Sequence, residues 1–262
     1  MSVFRLLMRH YPSDLPAGDI AAALGLKAST LSVYLSALTQ ADLVSQRRAG
    51  TSRLYRVRLD TAQALVDFLF LDCCRGRPEL CPPLLSLPLH GDGPMTDHKY
   101  NVLFICSGNS ARSIFAEAIL RAEAGNLFNA YSAGTRPYSE LNPLAVAMLE
   151  QKGHDISPLR AKNIAEFQAV DTPKLDFVFT VCDRAANEDC PPWPGQPMTA
   201  HWGMPDPVKA EGSLAEKRLA FQTAYGMLRN RIVAFSSLPF AALDRASLQS
   251  AVDDIAREQE TT

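Results

Sequence analysis

Val102-Leu103-Phe104-Ile105-Cys106-Ser107-Gly108-Asn109-Ser110-Ala111-Arg112-Ser113 carries a short apolar strand straight into a cysteine, five small residues and an arginine at a helix start. That order places a thiolate in a cradle for a tetrahedral oxyanion. The backbone N–H groups of Ser107, Gly108, Asn109, Ser110 and Ala111 wrap around the anion. Gly108 allows the tight turn, and the new helix adds its positive N-terminal end. Arg112 supplies a planar fork for two oxyanion oxygens, and the Ser113 hydroxyl stands close by to assist. The same field favours a Cys106 thiolate, so its pKa is expected to fall from about 8.5 toward the range of roughly 3.5–7.5 seen at helix N-termini.

A cysteine and an arginine six positions apart also describe a buried thiol beside a surface cation. Three features favour the anion cradle: the apolar strand before it, the Gly-Asn-Ser filling, and Asp206-Pro207 downstream in a Trp- and Pro-rich loop. An acid is what the chemistry still needs, because a departing oxygen takes a proton as the thiolate displaces it. Together these residues resemble the low-molecular-weight tyrosine phosphatase fold, with its Cys-x5-Arg-Ser loop early and its Asp-Pro late, across residues 98 to 235.

Two further cysteines bear on the branch of that superfamily. Leu175-Asp-Phe-Val-Phe-Thr-Val181 reads as a buried strand, Cys182 follows it, and Cys190 lies eight positions on across a polar loop. A phosphatase has no use for a dithiol, whereas a reductase must find two electrons. The pair resembles the relay of the thiol-dependent arsenate reductases, and Pro197 to Pro207 is similar to them too, lacking the tyrosines that follow Asp-Pro in the phosphatases. The resemblance implies that Cys106 attacks arsenate held by the loop and Arg112 while Asp206 protonates the departing oxygen. Cys182 then attacks Cys106, and Cys190 moves the disulfide outward to a dithiol protein such as thioredoxin. The spacing between Cys182 and Cys190 is slightly longer than in those reductases; if the loop fails to bring them together, glutathione with glutaredoxin is the reductant.

The first eighty residues follow a different pattern. Ala17 to Leu24 has inward apolar positions at Ile20, Ala21 and Leu24, Gly25 breaks it, and Ser29 opens a second helix with Leu31, Leu35 and Leu38 inward. Its outward side carries Ser29, Thr30, Ser32, Tyr34 and Ser36, small polar groups suited to base edges and phosphates. A strand-turn-strand from Leu43 to Arg58 holds Arg47, Arg48, Arg53, Arg56 and Arg58 with no acid among them, which suits a wing along a phosphate backbone. Phe4 to Tyr55 resembles the ArsR family of winged-helix repressors, with the first dimerisation helix largely missing. Operator DNA as a partner and a homodimer follow as expectations.

Past the wing, a helix from Thr61 to Asp72 leads into Cys73-Cys74-Arg-Gly-Arg-Pro-Glu-Leu-Cys81. Adjacent cysteines rarely pair with each other, and soft thiolates suit a thiophilic ion. Arsenite or antimonite takes three sulfurs, whereas zinc asks for a fourth ligand that no nearby histidine supplies. Cys73, Cys74 and Cys81 also resemble the C-terminal thiol cluster of some ArsR-type repressors, which makes arsenite a regulatory ligand; incidental free thiols are the plainer alternative.

The chain has 262 residues, 47% hydrophobic and 21% charged, enough for two cores. A Pro- and Gly-rich stretch marks the break. The expected organisation is a winged helix-turn-helix DNA-binding domain at 1–80, a linker at 81–97 and a phosphatase-like α/β domain at 98–262, three-layered about a small parallel sheet. Phe221, Tyr225, Leu228, Ile232 and Phe235 mark a packing stripe on a long late helix, and Leu243 to Ile255 is amphipathic. Formal net charge is −2, so attraction to DNA must be local to the wing. No stretch has the length of a membrane span, and a role for each of the six cysteines fits a reducing cytoplasm. No tightly bound cofactor is expected; the reductant is external. The readings kept open are an arsenite-responsive repressor fused to an arsenate reductase, the same repressor fused to a phosphatase, and a DNA-binding regulator with an inactive reductase domain.

Overall fold

The computed structural model describes residues 2–68, 99–169, 172–188, 193, 197–240, 242–243 and 245–257. The chain divides into two compact units, Met1–Gly93 and Pro94–Thr262. Cys73, Cys74, Cys81, Cys190 and the 81–97 linker lie outside the described residues.

The first unit runs α1 (Ser2–Arg9), β1 (Leu15–Pro16), α2 (Ala17–Leu24), α3 (Ala28–Gln40), β2 (Val44–Ala49), β3 (Ser52–Val57) and α4 (Leu59–Phe68). Gly25 sits at φ 62°, the left-handed position that closes a helix without a Cβ penalty, and its N–H caps the carbonyls of Ala21 and Ala22. The chain turns by 114° from α2 to α3 there, within the helix-turn-helix range. Leu31 and Leu35 of α3 bury with Ile20 of α2, Leu6 and Leu7 of α1, and Val44, Tyr55 and Val57 of the hairpin. β2 pairs antiparallel with β3 around Gly50 (φ 58°), and β1 adds a short outer strand to β3, which the sequence reading did not include.

In the second unit the elements alternate: β4 (Tyr100–Cys106), α5 (Arg112–Ala124), β5 (Phe128–Gly134), α6 (Pro143–Gln151), β6 (Phe177–Thr180), α7 (Asp183–Asn187), β7 (Met198–His201), α8 (Leu214–Ser236) and α9 (Arg245–Arg257), with 3-10 turns at Ile164–Phe167 and Pro207–Lys209. The four strands are parallel in the order β5-β4-β6-β7. Val102, Leu103, Phe104 and Ile105 are all essentially inaccessible, as expected of a parallel strand covered on both faces. An aromatic cluster of Phe128, Phe177, Phe179, Trp202, Phe235 and Phe240 fills the core, and Phe179 stacks on Trp202 at 4.2 Å. The α8 stripe of Phe221, Tyr225, Leu228, Ile232 and Phe235 is buried. Helix α8 begins in a capping box between Ser213 and Glu216, which satisfies donors the first turn leaves open. Helix α9 packs against the edge strand β7. No helix among the described residues is long and apolar enough by itself to cross a membrane.

The sheet order decides where a site can lie. The strand following β4 in sequence, β5, pairs on one side of it, and the next, β6, crosses to the other. The carboxyl end of β4 is therefore the topological switch point, where crossovers diverge and leave a crevice. Cys106 is the last residue of that strand.

Candidate active site

The loop from Ser107 to Ala111 bends around the Cys106 sulfur. Asn109 adopts φ 45°, and its backbone N–H donates to Cys106 Sγ at 3.1 Å. A strap from Thr135 to Asn142 runs outside the loop. Thr135, Arg136, Tyr138 and Asn142 donate their N–H groups to the carbonyls of Cys106, Ser107, Gly108 and Ser110 at 2.9–3.1 Å. Each carbonyl drawn outward turns the next N–H of its planar peptide inward, so Ser107, Gly108, Asn109 and Ala111 present their donors to the thiol side. At Gly108 a Cβ would stand 2.5 Å from the exposed Tyr138 ring, which would have to swing aside. Gly134 is the position required by space, because a Cβ there would meet the backbone carbonyl of Ser107 at 2.7 Å.

Behind the loop lies a buried polar network. Asn109 Nδ2 donates to Ser113 Oγ and to Ser132 Oγ, both at 2.9 Å, and Asn109 Oδ1 accepts from Lys162 N at 2.7 Å. Ser132 in turn donates to Glu117 Oε2 at 2.5 Å, which also meets Lys162 Nζ at 2.9 Å, while Arg121 holds Glu117 Oε1 at 2.6 Å. Because Ser113 Oγ already accepts a hydrogen bond from Asn109 Nδ2, its own hydroxyl hydrogen is available to Cys106 Sγ, 2.9 Å away. The network thus aims its donors at the sulfur. Sequence reading missed Glu117, Ser132 and Lys162; a lone glutamate inside Ile-Phe-Ala-Glu-Ala-Ile-Leu was a visible signal for the first.

Arg112 stands across the loop. Its Nη2 pairs with Asp206 Oδ2 at 2.8 Å, and its Nη1 donates to the Met204 carbonyl at 3.1 Å. Asp206 Oδ1 also accepts the Val208 N–H, which caps the 3-10 turn after it. Cys182 ends the β6 edge of the crevice as the N-cap of α7 and accepts from Ala185 N at 3.4 Å. Its sulfur lies 3.6 Å from Ser107 Oγ. Cys106, Ser107, Asn109, Arg112, Ser113, Cys182 and Asp206 are thereby brought together. Both thiols are free and buried.

The electrostatics correct one expectation. Burial pushes the Cys106 thiol up and the neighbouring Cys182 adds to this; hydrogen bonds from Ser113 and the charge of Arg112 pull it down without prevailing. With Asp206 paired to Arg112, much of the cation's field is spent before it reaches the sulfur.

In the first unit Ser29, Ser32, Tyr34 and Ser36 of α3 are exposed and Thr30 is half-buried. The hairpin itself holds no acid, as read, but acids outside it reach its arginines. Arg47 and Arg56 both bind Asp14, and Arg58 bridges Asp42 and Asp60. Burial alone would raise the Asp14 carboxyl, but bonds from Arg56 and Arg47 hold it below the usual carboxylate range. Arg48 and Arg53, cross-strand neighbours, have no ion pair among the described residues.

Residues 101–247 match the family of low molecular weight phosphotyrosine protein phosphatases, and residues 1–48 match the IclR helix-turn-helix domain. The N-terminal match supports a helix-turn-helix and is to a different family from the ArsR repressors that the sequence resembles. The arsenate reductase of Bacillus licheniformis is 37% identical over 138 residues, covering 53% of this chain and 96% of that protein. That of Bacillus subtilis is 35% identical over 135 residues, 52% of this chain and 94% of that one. A solved arsenate reductase in its reduced state aligns at 28% identity and a TM-score of 0.41, covering 51% of this chain and 94% of that one.

Proposed function

Since this chain belongs, through residues 101–247, to the low molecular weight phosphotyrosine protein phosphatase family, we propose that its second unit reduces arsenate to arsenite through a thiol relay. The carrying observation is the second buried thiol: Cys182 stands beside the loop, its sulfur 3.6 Å from the Ser107 hydroxyl. Ester hydrolysis makes no use of such a group.

In the first step the Cys106 thiolate attacks arsenate bound by the loop N–H groups and Arg112. Asp206 gives a proton to the departing oxygen, which leaves as water, and a sulfur–arsenic(V) bond forms. Cys182 as thiolate then attacks the Cys106 sulfur. The sulfur–arsenic electron pair stays on arsenic, arsenite leaves, and a Cys106–Cys182 disulfide holds the oxidising equivalents. Cys190 attacks Cys182, frees Cys106 as thiolate, and leaves a 182–190 disulfide for an external dithiol protein. The role of Cys190 and the choice of thioredoxin over glutathione with glutaredoxin rest on the chain's two-cysteine pattern alone.

The first unit is read as an operator-binding module that acts as a dimer in the manner of ArsR repressors. Support comes from the exposed polar side of α3 and from Arg48 and Arg53 on the wing. Arsenite binding by Cys73, Cys74 and Cys81 would release it from DNA, making the product of one unit the inducer of the other. A cytoplasmic setting, where these thiols stay reduced, and the boundaries 1–80, 81–97 and 98–262 complete the reading.

The deciding measurement is arsenite production by purified protein, with thioredoxin, its reductase and NADPH in one reaction and glutathione with glutaredoxin in another. Turnover in the first supports the full relay. Turnover only in the second keeps the activity and removes Cys190. Turnover in neither sends the site to aryl phosphates, the phosphatase reading, or to an inactive domain serving a regulator.

A further inference from the structure

We infer that Arg231, a buried arginine of α8, is a positioning residue that sets the Asp206 loop for proton delivery; this rests on Asp206 being the acid. Arg231 is 3% exposed. Its Nη1 donates to the Trp202 carbonyl at 2.7 Å and to the Gly203 carbonyl at 3.0 Å. The next carbonyl, that of Met204, is taken by Arg112. Three consecutive carbonyls are therefore held by two arginines from two helices, and the segment between those grips leads directly into Pro205-Asp206-Pro207.

The N-terminal side of this segment is already rigid. Trp202 is fully buried, stacks on Phe179, and its N–H bonds the Thr180 carbonyl at 2.7 Å. Gly203 has no room for a side chain: a Cβ would lie 2.5 Å from His201 Nε2 and 2.8 Å from Asp183 Oδ1. That packing fixes where the backbone passes. The direction in which residues 202 and 203 turn their carbonyls, and hence the course of the chain from Met204 to Asp206, is set by the cation that receives them. Both bonds come from one nitrogen, Nη1; a lysine at 231 would bring an ammonium on a flexible stem in place of a rigid planar group, and a methionine no donor at all. Without that nitrogen the buried Trp202 carbonyl and the half-buried Gly203 carbonyl lose their donor, and the segment rotates to satisfy them, taking the Asp206 carboxyl with it.

The test is a double-mutant cycle in the full-length protein, combining Arg231→Met with Asp206→Asn and reading kcat on arsenate with regenerated reductant and on phenyl phosphate, whose leaving group needs a proton. Asp206→Asn should cost about 100-fold or more, the usual worth of a general acid. With Asp206 present, Arg231→Met should lower kcat by about tenfold; in the Asp206→Asn background it should change kcat by less than about twofold, because the group it positions is gone. Arg231→Lys should show a smaller loss with the same dependence on Asp206, and it carries the test where the methionine variant does not fold. Equal losses in both backgrounds, or no loss in either, overturn the inference. Turnover of phenyl phosphate without arsenate sinks the reductase reading while the cycle is still read on the ester; wild-type turnover of neither overturns both.

Discussion

Cys106, the nucleophile of the proposed reaction, sits in surroundings that hold its proton. Burial raises the Cys106 pKa, and the opposing groups are few and named: Ser113, the backbone and Arg112. Alkylation of Cys106 by iodoacetamide should therefore keep accelerating above pH 8.5, the region of an ordinary cysteine at about that value. Ser113→Ala removes a donor at 2.9 Å and should move the midpoint up by about one pH unit, since a hydrogen bond to a charged group is worth about 1.5–3 kcal/mol and one unit is about 1.4. Asp206→Asn should shift it down, because the Arg112 charge then faces the sulfur without a counter-ion. Equal midpoints in all three proteins would sink this account of the site. Cys106 and Arg112 could be picked out because a loop motif spans only a few positions, and Asp206 only through its own Asp-Pro pair far downstream; the structure brings Asp206 to Arg112. Lys162 could not be picked out: it reaches Glu117 across 45 positions, and nothing in its neighbours marks it as buried. Lys162→Met removes a charged hydrogen bond from Glu117 but leaves it Arg121 and Ser132, so it should lower stability by about 1.5–3 kcal/mol in urea titration, and adding Glu117→Gln should recover part of that loss.

Elements whose identity rests on local periodicity were read correctly, and so were the parallel sheet and the hairpin they build; ion pairs between side chains far apart in sequence were not. The strand into Cys106, the α2–Gly25–α3 turn and the α8 stripe each declare themselves within a dozen residues. The neutralised wing depended on Asp14, 33 positions from Arg47 and 42 from Arg56, and no window of sequence joins them. That pairing alters the expected DNA contacts. Each phosphate neutralised adds about −0.9 to the slope of log K against log salt, so Arg48→Ala with Arg53→Ala should flatten that slope by about two. Arg47→Ala, already committed to Asp14, should flatten it by clearly less; the reverse ranking in a salt titration would assign the wing differently. The amphipathic pattern of α9 was visible, but its place against β7 was not. Burial lifts Asp253 on that helix to about 6, with Gln249 and Arg257 pulling down and Asp254 pushing up. The unfolded chain releases this proton nearer 3.8, so stability falls as pH rises between the two values, and the full cost persists above about 6. Asp253→Asn should raise the melting temperature at pH 8 by several degrees, worth roughly 1–2 kcal/mol, and leave it unchanged at pH 3.

At the scale of the whole chain, two units with separate cores carry chemistries that share an element only if the reading of both is right. Net charge is −2, the wrong sign to draw the protein to polyanionic DNA, so any operator affinity belongs to α3 and the wing. The reductase residues have no part in that surface. Cys106→Ser should therefore abolish arsenite production and leave operator affinity within about twofold, well under the 1.4 kcal/mol that a tenfold change requires. Arg48→Ala with Arg53→Ala should do the opposite. The thiols at 73, 74 and 81 provide the sharper division, because an inducer releases DNA only by binding the free and bound forms with different affinity. Cys73→Ser should raise the arsenite concentration needed to free operator DNA, measured by fluorescence anisotropy, without changing kcat for arsenate. Reciprocity fixes the companion result: operator DNA must weaken arsenite binding by the same factor in the wild type, and that factor must shrink toward one in the variant. If Cys73→Ser instead halts arsenate turnover, those thiols belong to the reductant path, and the picture of one unit making the ligand of the other fails.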